Sequence, residues 1–389
     1  MQGKREYTMD KKRMISLGLV AILLVAVSLS GCGKPAGAGM ETDISGPAGS
    51  GAGLAGATNE SAGETCAPLG GAATPKTGAY TFTDDLGREV TVERPAEAGA
   101  PDGVQGPERV AALIGSFAQI WTLAGGEVHA SADDAWDEFG LEMAEDAVNL
   151  GNTKELSLEK LFSAEPDFII ASANTRQNVE WRETLEATGV PTAYFRVSNF
   201  DEYLRMLKIC TEITGRPDLY EKNGEAIRGQ IEAVRARVAE RLAGGKASGA
   251  LDGLAGGKAD APKVLSMRAS ASFIRAKNSQ DNVLGEILKD LGCINIADSD
   301  GSLLENLSIE HILEQDPDYI FFVQQGDDEA GTKANIERLM KDNPAWLELT
   351  AVKEGRVFFM DKALYGVKPN HRWGEAYEVV EEILANEES

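Results

Sequence analysis

Histidine is scarce in this 389-residue chain: His129, His311 and His371 are the only three, and none lies at metal-ligand spacing from another. A dedicated site for bare zinc or manganese, which needs several imidazoles, is therefore not expected. Cysteine is nearly as rare, and Cys32, Cys66, Cys210 and Cys293 show no metal spacing either. Cys210 and Cys293 fall in different halves of the chain, so both are expected as buried free thiols rather than as a disulfide. The sequence has no Gly-x-Ser-x-Gly elbow, no His-Glu-x-x-His and no glycine loop running into Lys-Ser/Thr. Without these, hydrolase, metalloprotease and nucleotide-phosphate chemistry have no foothold, no catalytic residue is nominated, and no cofactor or metal is expected. Acidic pairs such as Asp133-Asp134 read as solvated loop residues. Positive charge is also short, with 38 Lys and Arg against 62 Asp and Glu, a formal net of −24. Nucleic acid and anionic lipid are poor partners for such a surface.

Long apolar runs are missing except for one, Met14 to Leu29. At about 16 apolar residues it falls short of the ~20 that a spanning helix needs. Lys11-Lys12-Arg13 precede it and Leu29-Ser30-Gly31-Cys32 close it, the order of an export signal: basic, apolar, then small residues. The segment resembles a bacterial lipoprotein signal over residues 1–31, with Cys32 as the lipid site, and translation from Met1 or Met9 serves equally well. Residues 32–79 are dominated by Gly, Ala, Ser, Thr and Pro and read as a flexible tether. Residues 80–389 have the length of two domains.

Within that body one unit occurs twice. Leu156-Ser157-Leu158-Glu159 leads to Pro166-Asp167-Phe168-Ile169, and Leu307-Ser308-Ile309-Glu310 leads to Pro317-Asp318-Tyr319-Ile320 at the same spacing. Each copy reads as a serine-capped helix passing through Pro-Asp into a buried parallel strand. Between the copies, Ile227, Ile231, Val234, Val238 and Leu242 recur at three- and four-residue spacing without proline, which predicts one long amphipathic helix over 217–242. The expected architecture is α/β: two similar lobes with mainly parallel central sheets, residues 80–216 and 263–389, joined by that helix with a ligand cleft between them. Tyr80 to Val92 predicts a hairpin that turns at Asp84-Asp85-Leu86-Gly87-Arg88, and the Gly/Ala-rich stretch 243–262 reads as an insertion.

The lipobox, the segment Thr83 to Val90, the twinned Leu-Ser-x-Glu/Pro-Asp units and the single long helix together resemble the solute-binding lipoproteins of ABC importers for iron complexes and cobalamin. The likeness runs from Tyr80 to the end and includes Asn343-Pro344-Ala345-Trp346 and Lys368-Pro369-Asn370-His371-Arg372-Trp373. It implies a carrier rather than an enzyme, exported and lipid-anchored on the extracytoplasmic face. It further implies a small metal chelate or corrinoid as ligand, and an ABC permease dimer with its ATPase subunits as partner. Glu159 and Glu310 match the family's permease-docking glutamates. A surface lipoprotein that senses its ligand, or a binder of another metal-related solute, is the alternative.

Ligands of open α/β lobes meet the loops after strand carboxyl ends. That rule nominates Ser116, Phe117, Trp136, Asn174, Arg176 and Arg196 in the first lobe. In the second it nominates Arg268, Arg275, Gln324, Tyr365, Lys368 and Arg372. Arginine forks suit carboxylate, hydroxamate and catecholate oxygens, flat aromatic faces suit a macrocycle, and Tyr365 is a candidate axial ligand for haem.

Overall fold

The computed structural model describes residues 78–94, 106–244, 261–299, 301–305 and 307–385. The expected signal, nearly all of the expected tether and most of the segment 243–262 lie outside them.

Strands β1 (Gly78–Thr83) and β2 (Glu89–Arg94) form the antiparallel hairpin. Five parallel strands follow in the order β5-β4-β3-β6-β7: β3 (Val110–Ala112), β4 (Val128–Ser131), β5 (Val148–Asn149), β6 (Phe168–Ser172) and β7 (Thr192–Phe195). The second sheet contains β8 (Lys263–Ala269), β9 (Ile274–Lys277), β10 (Ile294–Asn295), β11 (Tyr319–Gln324) and β12 (Val357–Met360). Its order is β10-β8-β11-β12, all parallel, while β9 runs antiparallel on β8 beyond the short β10. The chain is thus an α/β protein of two lobes, each with a mainly parallel sheet.

The helix between the sheets runs from Pro217 to Gly244 and contains a π turn at Glu221–Glu225. At 1.5 Å per residue it is about 40 Å long. The π turn releases the Asn223 carbonyl, which accepts the Tyr203 hydroxyl at 2.8 Å, while the Asn223 amide donates to the Leu123 carbonyl at 2.8 Å. Gly224 fits here because a Cβ would lie 2.9 Å from the Leu204 side chain. Ile227, Ile231, Val234 and Val238 are buried in one continuous core that also takes Phe200, Leu204 and Leu207 from the first lobe and Trp373, Tyr377 and Val380 from the last helix, Trp373–Ala385. Arg237 and Arg241 both bond Glu381, at 2.5 and 3.1 Å, and Arg235 pairs with Asp290. Cys210 and Cys293 are buried and free, and burial pushes the Cys293 thiol up to about 12.

The repeat has a specific internal construction. In the first copy Ser157 caps the helix Leu158–Ser163, and Asp167 accepts the backbone N–H groups of Glu108 and Arg109 at 2.8 and 3.0 Å where β3 begins. In the second, Ser308 caps the helix Ile309–Gln315, and Asp318 accepts the Lys263 N–H at 2.8 Å where β8 begins. Arg109 and Lys263 reciprocate by donating to the last carbonyls of the preceding helix, Ala164 and Gln315 respectively. Glu165 and Asp316, each just before the proline, both have positive φ. The Pro-Asp pair therefore fastens the repeat strand's neighbour as well as turning the chain.

The hairpin turn is anchored as tightly. Asp84 is buried and accepts from the Leu86 and Arg88 N–H groups at 3.0 Å each, the Tyr194 N–H at 3.1 Å and the Arg88 guanidinium at 2.6 Å. Asp85 donates its N–H to the Tyr194 carbonyl at 2.9 Å and accepts the Arg196 N–H at 2.6 Å. Arg88 also reaches Glu186 at 2.7 Å and lies 4.7 Å over the Tyr194 ring. Replacing Asp84 by Ala leaves these donors unpaired, so D84A is expected to lower unfolding stability by about 2–4 kcal/mol. Urea denaturation measures this, and a loss below about 1 kcal/mol would contradict the anchoring role.

Candidate functional site

The two faces of the second sheet have different destinations. Leu265, Met267 and Ala269 of β8 pack into a core confined to the second lobe, with Ile274 and Ala276 of β9 on the same side. Val264, and Tyr319, Phe321 and Val323 of β11, face the core shared by both lobes. Arg268 continues that second face at the carboxyl end of β8. Pairing places Arg275 opposite Arg268 and Lys277 opposite Ser266, so three cations project from one face of the ribbon toward the first lobe. Lys368 joins them. Burial, then the charge of Arg268, pulls its ammonium down, with Asp134 and Glu202 acting the other way. Burial lowers Arg268, and burial followed by Arg268 lowers Lys277, which Asp281 opposes.

From the first lobe, Asp134 opens the short helix Asp134–Asp137, and its Oδ1 accepts the Gly115 N–H at 2.8 Å, tying it to the start of helix Gly115–Leu123. Gly115 has to be glycine, because a Cβ would lie 2.5 Å from the Ala135 nitrogen. Burial pushes the Asp134 carboxyl up to about 6; the Gly115 N–H opposes this, and the charges of Glu138 and Asp133 add to it.

Two contacts join the lobes around this point. Asn370, fully buried with φ +50°, donates its side-chain amide to the Ser116 carbonyl at 2.9 Å and to Gln119 Oε1 at 2.8 Å. Lys362 bonds Glu138 of the first lobe and Asp327 of the second, at 2.7 Å each.

The nominated residues separate into groups. Arg268, Arg275 and Lys368 come together. Asn174 and Arg196 form a second, exposed pair after β6 and β7, the guanidinium donating to Asn174 Oδ1 at 3.2 Å. Ser116 is buried, with its carbonyl taken by Asn370. Trp136 is partly buried and packs against the shared core. Gln324 ends β11 and turns back to the Gly326 carbonyl at 2.9 Å. Two nominations are corrected. Phe117 is 0% exposed, edge-on to Phe195 in the core, and Tyr365 is 1% exposed with its hydroxyl donated to the Ala376 carbonyl at 2.8 Å. Both sit where strands end, but their side chains point inward, and neither offers a face or an oxygen to a ligand. Arg176 extends into solvent, 91% exposed and paired with Glu180, and Arg372 forks onto Glu375 at 2.7 Å. Lys277, Lys362 and Asn370 complete the site without having been nominated, and Asp134, half of the acidic pair read as solvated loop residues, is instead partly buried at the opening of a helix and holds the Gly115 N–H. The alternation Ile274-Arg275-Ala276-Lys277 was the one available signal for Lys277.

Glu159 and Glu310 occupy the same place in the two copies, second in a serine-capped helix and exposed. Each helix runs back against its following strand, so its first turn lies at the strand-carboxyl end. Gln177, just after β6, confirms this for the first lobe by bonding the Leu156 N–H and carbonyl at 2.9 and 3.2 Å.

A separate cavity of about 300 Å³ is lined by Phe200, Asp201, Arg235, Lys289, Asp290 and Tyr377 among others. It contains no nominated residue, and Arg235 and the Tyr377 hydroxyl already bond Asp290. Among the described residues no three His, Cys, Asp or Glu side chains are grouped to hold a metal, and no helix is long and apolar enough to cross a membrane.

Known proteins resemble this chain in sequence and in fold. The profile of the family described as periplasmic binding protein matches residues 110–364. An iron-uptake system-binding protein of Bacillus subtilis (strain 168) is 25% identical over 218 residues, covering 56% of this chain and 62% of the relative. The Fe(3+)-citrate-binding protein YfmC of the same organism is 28% identical over 224 residues, covering 56% and 60%. The chain spans about three fifths of the length of these two relatives. The periplasmic catecholate-siderophore binding protein VctP of Vibrio cholerae has the same fold, with a TM-score of 0.57 at 16% identity over 79% of this chain and 99% of that one.

Because the raised Asp134 carboxyl binds its proton more tightly in the folded chain, its stabilising contribution is complete below about pH 4 and lost as pH rises through about 6. Asn keeps an oxygen for the Gly115 N–H and carries no charge. D134N is expected to be more stable than the parent by about 1 kcal/mol at pH 7.5, partial exposure being allowed for, and equal to it near pH 4. Urea midpoints at both pH values measure this, and a gain that does not change with pH would contradict it.

Proposed function

The chain belongs to the periplasmic binding protein family, and from that premise we propose that it is the extracytoplasmic solute-binding lipoprotein of an ABC importer, anchored through a lipid on Cys32, that captures an iron complex or cobalamin and hands it to a permease dimer. The family match makes it a solute-binding protein and not an enzyme, and an iron complex as its solute is supported by the two relatives named for iron uptake and Fe(3+)-citrate binding. Delivery, docking and anchoring are the proposal. Cys32 lies outside the described residues.

The observation that supports delivery is the pair Glu159 and Glu310. A carrier that is loaded and released repeatedly needs contacts that set orientation and encounter rate without binding irreversibly, and exposed charges do this. Two of them, one per lobe and each at the second position of a twin helix, fit a partner made of two like subunits, each offering a basic side chain. Their exposure argues against a merely structural role, although each also lies favourably at a helix N-terminus.

Glu159→Arg with Glu310→Arg should leave solute affinity and unfolding stability unchanged. The same double variant should reduce carrier-stimulated ATP hydrolysis by the reconstituted permease by about tenfold or more, with each single variant between. Full stimulation by the double variant would remove these glutamates from docking.

A further inference from the structure

We infer that the β8–β9 ribbon together with Lys368 is an anion-binding wall, and that the carried solute is a ferric chelate of net negative charge presenting carboxylate or catecholate oxygens, in preference to haem or a corrinoid. The inference rests on the carrier reading and narrows it.

It starts from an unfavourable arrangement. Arg268 and Arg275 are direct cross-strand partners, and like charges in that position destabilise a sheet. Lys277 and Lys368 lie close enough for Arg268 to depress both. None of these four side chains has a carboxylate within ion-pair distance among the described residues; Arg275 rests on the Phe273 ring, 5.2 Å away. The acids that act on the group do so from a distance, Asp281 on Lys277, and Asp134 and Glu202 on Lys368. This occurs in a chain with 62 acidic and 38 basic residues, where acidic partners abound. Elsewhere most arginines find them, Arg88, Arg205, Arg235, Arg237, Arg241 and Arg356 among them, while Arg109, Arg196 and Arg338 bond carbonyl or amide oxygens. Four unpaired cations on the face turned to the other lobe repel one another until an anion arrives. Guanidinium forks meet carboxylate or catecholate oxygens two at a time, and partial burial strengthens the attraction.

The aromatic side of the comparison is weak. A macrocycle needs flat faces, yet Phe117 and Tyr365 are enclosed, Trp136 packs on the core and Phe273 lies under Arg275. Haem carries two propionates, but the Tyr365 hydroxyl is bonded inside the fold. The ribbon therefore selects by charge.

The test uses the full-length chain, titrated separately with ferric citrate, a ferric tris-catecholate, a cationic ferric hydroxamate, haem and cobalamin, with tryptophan fluorescence and equilibrium dialysis as readouts. One or both anionic chelates should bind at least about tenfold more tightly than the other three and weaken as salt rises. The two anionic arms separate carboxylate from catecholate recognition. Arg268→Gln with Lys368→Gln should cut that affinity about tenfold or more while raising the thermal midpoint, since removing crowded like charges relieves the free protein. An affinity loss accompanied by a fall in the thermal midpoint would mean a structural role and overturn the inference. Tight binding of haem, cobalamin or the hydroxamate in place of the anionic chelates would overturn it and leave the carrier function intact. Binding of none of the five would overturn the carrier reading itself.

Discussion

One apolar stripe has to be buried against two lobes at once. Ile227, Ile231, Val234 and Val238 occupy a single face of the long helix, and the core they enter takes side chains from both sheets and from the last helix. At ~25 cal/mol per Å² of apolar surface, separating the lobes about that seam would be very costly. The lobes are therefore constrained to small rocking motions, and the side chains that face one another across them are held in place before any ligand arrives. The Asn370 amide on Ser116 and Gln119 reinforces this from inside, and Lys362 spans the two lobes at a partly exposed point.

A rigid arrangement can maintain charges that a flexible one would neutralise. In a mobile chain with such an acidic surplus, Arg268 and Lys368 would find carboxylates. Here Arg268 is fixed on a strand and Lys368 lies two residues after a compact turn, Lys362–Gly366. The acids that act on Lys368 are already engaged by backbone: Asp134 holds the Gly115 N–H, and Glu202 accepts the Ser198 N–H at 2.6 Å. Rigidity and unmet charge are in this sense one property.

Much of the fold was legible in the sequence because it rests on local periodicity. The buried runs Phe168–Ser172 and Tyr319–Gln324, the long helix and the hairpin all carry patterns that survive without tertiary context. What was not legible depended on pairing. The segment after β6 folds as two short helices, Arg176–Glu180 and Arg182–Glu186, separated by Trp181, whose ring packs against the first-lobe core and which no local pattern announces. β9 is four residues long and is stabilised by its register with β8, so Lys277 was not placed in the site. The rule that ligands meet strand ends picked out Arg268, Arg275 and Lys368, which the fold brings near one another. The same rule is blind to side-chain direction, and so it also selected Phe117 and Tyr365, which point into the core.

The hairpin turn has an effect beyond its own stability. β7 is the outer strand of its sheet, and on its outward side Asp84 and Asp85 take the N–H groups of Tyr194 and Arg196 and the carbonyl of Tyr194, while the Arg88 guanidinium takes the Thr192 carbonyl. An exposed strand edge is a template for pairing with another chain. Two consecutive aspartates close it with side-chain oxygens and one N–H, and the carboxylates add a charge that repels an approaching strand. Two copies of this protein would meet along that edge without a hydrogen-bonding row to share.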